Sequence, residues 1–194
     1  MAGGAAVSYS RAVIGFLRFV GVINAAIWFG GLVFFTLSAG PAFFSPEMLD
    51  VFGGRDHPFA RAWAGRAAQI VLERYFVMQQ FCAAIATVHL LAEWLYTGKR
   101  PERLLSSLLA VMLAVAIFGG WWLQPKLSAL HVTRYGVRST AEQRAEAART
   151  FRFWHSVSQI VNLLVLGGAG LYLWRTINPP EDLRFVGAKQ PYRS

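Results

Sequence analysis

Four charge-free stretches, each close to the length needed to cross a bilayer, dominate this sequence. No Asp, Glu, Lys or Arg occurs from Phe19 to Pro46, from Tyr75 to Ala92, from Leu104 to Pro125 or from Phe153 to Trp174. A spanning helix needs roughly 20 mainly apolar residues at ~1.5 Å of rise each. The second stretch is the shortest, and Ile70–Leu72 and Leu95-Tyr96 extend it. The expected fold is all-α: an integral membrane four-helix bundle. Hydrocarbon, rather than water, is then the solvent against which most side chains are read.

The chain has 194 residues, which leaves no room for a separate soluble domain beside four spans. The reading is one four-span transmembrane domain over residues 1–178 and a polar C-terminal tail over 179–194. Arg11 and Arg18 precede the first span, and Leu37-Ser38-Ala39-Gly40 resembles a cleavage site. The apolar core exceeds the roughly 7–15 residues of a signal peptide, so this span is expected to stay as an anchor. Net charge is +9. Basic residues that flank spans meet anionic headgroups, so membrane lipids, and not nucleic acid, are the expected partners. Cys82 is the single cysteine and sits mid-span. It cannot form an internal disulfide and reads as a small packing residue.

Four spans put both ends on one side. Basic residues divide almost evenly between the two sides, so the shortest link decides. That link, 97–102, is crowded by Lys99, Arg100 and Arg103. Both termini are expected in the cytoplasm, in a bacterial inner membrane. Gly40-Pro41 is expected to end the first helix, and a second to begin near Pro58. Gln124-Pro125-Lys126 is expected to end the third. Ser139, followed by Glu142, has capping-box spacing for the fourth, and Asn178-Pro179-Pro180 should stop it. A helix from Thr140 to Thr176 would be ~55 Å long against a ~30 Å core. Helices two and four should therefore extend beyond the bilayer on the side away from the termini. Trp94, Trp121, Trp122, Trp154 and Trp174 fall near span ends, as an aromatic belt would. Gly30-Gly31, Gly119-Gly120, Gly167-Gly168 and Gly170 suit close helix packing.

Polar groups inside hydrocarbon are costly and usually face the bundle interior. Asn24, Gln80, His89 and Asn162 are the interhelical candidates. On helix four His155, Ser158 or Gln159, and Asn162 share a stripe that could bond across to Asn24 or Gln80. Polar helix ends converge on the side away from the termini. Glu73, Arg74, Gln124, Lys126, His155 and Gln159 are the ligand-binding candidates there. One of Glu73 and Arg74 should be paired inward.

No metal site and no cofactor are predicted; haem is the open alternative. His89 and His155 should differ in depth by roughly 15–20 Å, so one iron cannot take both. His57 and His131 fall in loops on this reading, and a single-histidine haem site stays open. Met48, Met78 and Met112 are scattered and do not suit copper. No Walker, Rossmann, HExxH, Cys-x-x-Cys or nucleophile-elbow pattern is present.

Trp28-Phe29-Gly30-Gly31, then Phe34-Phe35, Ala39-Gly40-Pro41 and Phe43-Phe44, form a recognisable first-helix pattern. Leu123-Gln124-Pro125-Lys126-Leu127 continues it, and Phe151, His155-Ser156 and Asn162 close it. Over roughly residues 15–174 the chain resembles the transmembrane-protein-205-like proteins, whose bacterial members are a membrane domain of unknown function. Looser likeness extends to copper-resistance-D-like proteins and to a bacterial protoporphyrinogen-oxidase family with similar four-helix cores. The resemblance implies a four-span bundle and no established biochemistry.

The leading expectation is a non-enzymatic membrane protein that binds a small amphipathic or ionic ligand at the mouth away from the termini, or serves as a subunit of a membrane complex. Haem or porphyrin handling is the alternative, with His155 or His89 as ligand and Arg74 or Lys126 meeting propionates. A small ion or metal transporter ranks third, because no internal repeat supports alternating access. The topology has a direct check. Cysteines placed at Arg100 and at His155 should react with an impermeant label from opposite faces of sealed vesicles; labelling from one face would overturn the assignment of the two sides.

Overall fold

The structure is a computed structural model that describes the backbone of residues 2–98 and 100–178, and the side chains of all of these except 2–12 and 97. The expected tail over 179–194, the Pro179-Pro180 stop and Lys99 lie outside the described residues. The elements are α1 (Ala2–Phe34), a π turn (Phe35–Ala39), α2 (Gly40–Ala42), α3 (Pro46–Val51), α4 (Ala60–Thr97), α5 (Arg103–Phe118), a second π turn (Gly119–Leu123), α6 (Gln124–Tyr135) and α7 (Ala141–Ile177). Among the described residues there is no strand. These elements make four rods, Val13–Ala42, Ala60–Tyr96, Arg103–Tyr135 and Ala141–Ile177, each long and apolar enough to cross a membrane. The fold is the all-α membrane bundle expected.

Neighbouring rods pack in a ring, α1 on α4, α4 on α5 and α6, these on α7, and α7 back on α1. Depth can be read along α1. Gly21 lies against His89, Gly31 against Met78, and Phe35 stacks on Tyr75 with centroids 4.0 Å apart. α1 and α4 are therefore antiparallel. Arg18 Nη2 donates to the Ile177 carbonyl at 3.0 Å, and Arg175 pairs with Glu102 at 3.3 Å. These contacts gather α1, α7 and the α4–α5 link on one side, called here the terminal side. The other is the loop side. Gly98, at φ +67°, closes α4 by donating its N–H to the Trp94 carbonyl at 2.9 Å, which makes the link as short as expected.

α4 and α7 have 38 and 37 residues, or about 57 and 55 Å at the helical rise. Both overrun a ~30 Å hydrocarbon core. The third rod does so too, because Gln124-Pro125-Lys126 does not end it. Proline lacks an N–H and clashes with the carbonyl four residues back. Here the π turn comes first: the Gln124 N–H reaches back five residues to the Gly119 carbonyl, and the widened turn admits Pro125. The same device operates at Gly40-Pro41. The Gly40 N–H bonds the Phe35 carbonyl, and the first rod continues through Ala42. Three helices, rather than two, thus project well beyond the membrane on the loop side.

Two expected helix starts shift slightly. α4 begins at Ala60, because Pro58 belongs to a turn whose His57 carbonyl accepts the Ala60 N–H at 3.1 Å. The capping box of α7 is Thr140–Gln143, one residue on from Ser139–Glu142. Thr140 Oγ1 accepts from the Gln143 N–H at 3.2 Å, and Gln143 Oε1 accepts from the Thr140 N–H at 3.0 Å. Ser139 is instead taken up by the preceding turn, its N–H on the Gly136 carbonyl.

The core holds Trp28, Leu32, Cys82, Ala83, Ala86, Met112, Ala169 and Tyr172, with Trp28 and Tyr172 edge to face at 6.2 Å. Buried Cys82 is the packing residue it was read as. A smaller cluster, Leu49 with Ala60 and Ala64, pins α3 to the start of α4. Close packing holds at Gly31, Gly119, Gly120, Gly168 and Gly170, but nothing lies within 4 Å of a side chain added at Gly30 or Gly167. At Gly21 a Cβ would stand 2.5 Å from the His89 ring. That ring is buried against α1, so Gly21→Ala should cost about 1–3 kcal/mol, the range for overpacking. Gly30→Ala should leave thermal stability in detergent unchanged. Equal melting temperatures for the two variants would disprove the close contact.

Candidate functional site

The polar groups of the second and third rods meet along one seam. His131 Nε2 lies 3.0 Å from the Ala62 carbonyl, Ser128 Oγ donates to Gln69 Oε1 at 3.2 Å, and Gln124 Nε2 donates to Glu73 Oε1 at 2.9 Å. Gln80 Nε2 reaches the Ala116 carbonyl at 3.4 Å. Positions 62, 69, 73 and 80 of α4 recur at helical spacing, as do 124, 128 and 131 of α6, and the two series run antiparallel. Gln69, Gln124 and His131 are buried. The seam starts in the projecting part and ends within the apolar stretches, where a side-chain hydrogen bond between helices contributes about 0.6 kcal/mol and at most about 1.7.

A groove of about 180 Å³ opens where this seam enters the membrane region. Glu73, Gln80 and Gln124 supply its polar lining, and Phe76, Val77, Gly120 and Trp121 its apolar lining. Val77 and Trp121 are exposed on the outside of the bundle, so the groove opens sideways. Its floor depends on two glycines. A Cβ at Gly119 would lie 2.4 Å from the Phe76 ring, and one at Gly120 would lie 2.6 Å from Gln80 Nε2. Glu73 keeps further acceptor capacity after its bond to Gln124, since a carboxylate has two oxygens and about four lone-pair sites. Glu73 is thus the paired member of the Glu73–Arg74 couple, although both residues are exposed.

The six candidate ligand residues do not gather into one cluster. Glu73 and Gln124 meet. Arg74, one residue and ~100° further round α4, is exposed. Lys126 faces α7, with Nζ 4.5 Å from the ring centroids of both Trp122 and Trp154. His155 is exposed and lies flat on Phe151, with centroids 5.6 Å apart, and Phe151 also touches His131 at 6.2 Å. Gln159 is exposed, one turn further along α7.

The interhelical candidates also divide. Asn24 Nδ2 donates to the Cys82 carbonyl at 2.9 Å. Asn162 joins three rods: it accepts from Tyr75 Oη at 2.8 Å and donates to Thr36 Oγ1 at 2.7 Å. Its expected partners, Asn24 and Gln80, are not used. Asn24 lies twelve positions, or ~18 Å, along α1 from Thr36, the residue at Asn162's depth. His89 is buried, and neither ring nitrogen has a hydrogen-bond partner among the described residues. Its Cε1 and Nε2 are the atoms pressed on Gly21. A macrocycle on Nε2 would have to occupy the space of α1, so His89 does not fit as a haem ligand. Among the described residues no three His, Cys, Asp or Glu side chains are grouped to hold a metal ion.

The sequence reading missed Gln69, Ser128, Tyr75 and Thr36, and it put His131 in a loop. The signal was the spacing of Gln124, Ser128 and His131, which continues a helix face past Pro125. His131→Ala should lower stability by about 1–3 kcal/mol, because it empties the bed over Gly65 and frees the Ala62 carbonyl. His155→Ala should cost less than about 0.5 kcal/mol, as exposed positions do. Detergent melting curves in the reverse order would contradict this division of roles.

No curated protein and no solved structure matches the chain. Residues 23–136, from within α1 to the end of α6, match a family described as a domain of unknown function, and the groove lies wholly inside that stretch, whereas Trp154 and Asn162 lie outside it. The chain therefore belongs to the DUF4149 family, and it is an integral membrane protein.

Proposed function

We propose that this protein is a non-enzymatic membrane protein that binds a small amphipathic ligand at its loop-side mouth, in the groove between α4 and the third rod. One observation carries the reading: a carboxylate held by a glutamine at the rim, Glu73 on Gln124 at 2.9 Å, beside an apolar wall of Phe76, Val77 and Trp121. The remaining acceptor sites of Glu73 call for a head group that donates hydrogen bonds, such as an amine or a hydroxyl. The sideways opening suits a tail left in hydrocarbon. A role as a subunit of a larger membrane complex is the companion reading, supported by the three projecting helices.

Inner-membrane placement, with both termini in the cytoplasm, belongs to the same proposal. It is supported by Arg100 and Arg103 at the shortest link. The likeness to transmembrane-protein-205-like proteins rests on Trp28-Phe29-Gly30-Gly31 and Leu123-Gln124-Pro125-Lys126-Leu127.

The test uses the full chain in nanodiscs and a fluorescent long-chain primary amine. Saturable binding is expected. Glu73→Gln should weaken it about tenfold, the loss of one hydrogen bond to a charged group. Val77→Trp, which fills the groove from its exposed edge, should abolish it. Binding that ignores both substitutions would sink the proposal.

A further inference from the structure

Lys126 has an arrangement that the groove does not use. Its ammonium sits 4.5 Å from the centroids of two indole rings, Trp122 at the end of the second π turn and Trp154 on α7. The two indoles meet edge to face at 5.0 Å, and Phe118 stacks on Trp122 at 4.8 Å. Ring faces attract a cation but neutralise none of its charge. No carboxylate pairs with Lys126 among the described residues: Glu146 pairs with Arg149, Glu102 with Arg175, and Glu73 is bonded to Gln124. Lys126 is half-buried, so the side chain keeps part of its surface open beside the two indoles.

The depth of this cation decides its partner. Trp122 and Trp154 lie where the uncharged stretches end on the loop side, the level at which interfacial indoles meet lipid headgroups. Below them, Phe118, Ile160 and Leu164 are exposed on the lipid-facing surface of α5 and α7. Beyond the membrane, α7 carries Arg149 and Arg152 toward the same end. The requirement is an anion at headgroup depth with hydrocarbon beneath it.

We propose that Lys126, held by Trp122 and Trp154, binds the phosphate of an anionic phospholipid in the loop-side leaflet. The acyl chains of that lipid lie along Phe118, Ile160 and Leu164. Binding is favoured over an ordinary annular lysine because the two indoles already fix the side chain, so little rotamer freedom is lost when the phosphate arrives. A zwitterionic lipid is disfavoured, since its own ammonium would approach Lys126 and the α7 arginines. This site is separate from the groove: Trp121 turns to α4, and Trp122, ~100° further round, turns to α7.

The experiment follows the melting temperature and retained lipid (by native mass spectrometry) of the full chain in neutral detergent. Phosphatidylglycerol, phosphatidylcholine of the same chains, and inorganic phosphate are titrated in turn. Phosphatidylglycerol should bind the natural chain and raise its melting temperature more than phosphatidylcholine does. Lys126→Gln should weaken that binding about fivefold, the effect of one basic residue at a charged surface. Lys126→Arg should restore it, and Arg138→Gln, another exposed loop-side cation, should leave it unchanged. Equal phosphatidylglycerol affinity for the natural chain and Lys126→Gln would overturn the proposal. An equal shift from inorganic phosphate alone would overturn the lipid as its ligand.

Discussion

A polar group in hydrocarbon has no water to return to. Every amide, carboxylate and imidazole inside the four rods must therefore be answered by another group of the bundle, or remain unanswered at a cost. The organisation of this protein follows from that constraint. Asn24 is answered by a backbone carbonyl, Asn162 by a tyrosine and a threonine on two other rods, and Glu73 by Gln124. The fully buried ring nitrogens of His89 and Trp28 are left unanswered among the described residues, although both rings are tightly packed.

The second organising element is the pair of π turns ahead of Pro41 and Pro125. Each replaces a helix stop with a widened turn through which the rod continues. The consequence is largest in the third rod. Without the turn at Gly119–Leu123 there would be no α6 on this axis, no Ser128 or His131 beside α4, and no three-helix projection. The same turn places Trp121 and Trp122 on different sides of the rod, toward the groove and toward α7.

Much of this was legible beforehand. The four rods follow from runs without charge, and the projection of α4 and α7 follows from their length against the bilayer. Glu73 and Gln124 were recognisable as costly groups at one mouth. The split of the other four candidates was not. Lys126 and His155 share an end of the bundle with Glu73, but which way each points depends on helix rotation, and the π turn alters that rotation between Phe118 and Gln124. The continuation past Pro125 was missed for the same reason. Proline normally predicts a break, and nothing local announces that the preceding turn has widened to admit it.

The residue order alone determined the solvent, the number of crossings and their lengths, because the cost of charge in hydrocarbon is large and needs no knowledge of neighbours. Only the tertiary structure decided which polar groups answer one another and where the groove opens. Those choices differ by about 1 kcal/mol per contact and by the azimuth of each helix, quantities set by packing among all four rods at once.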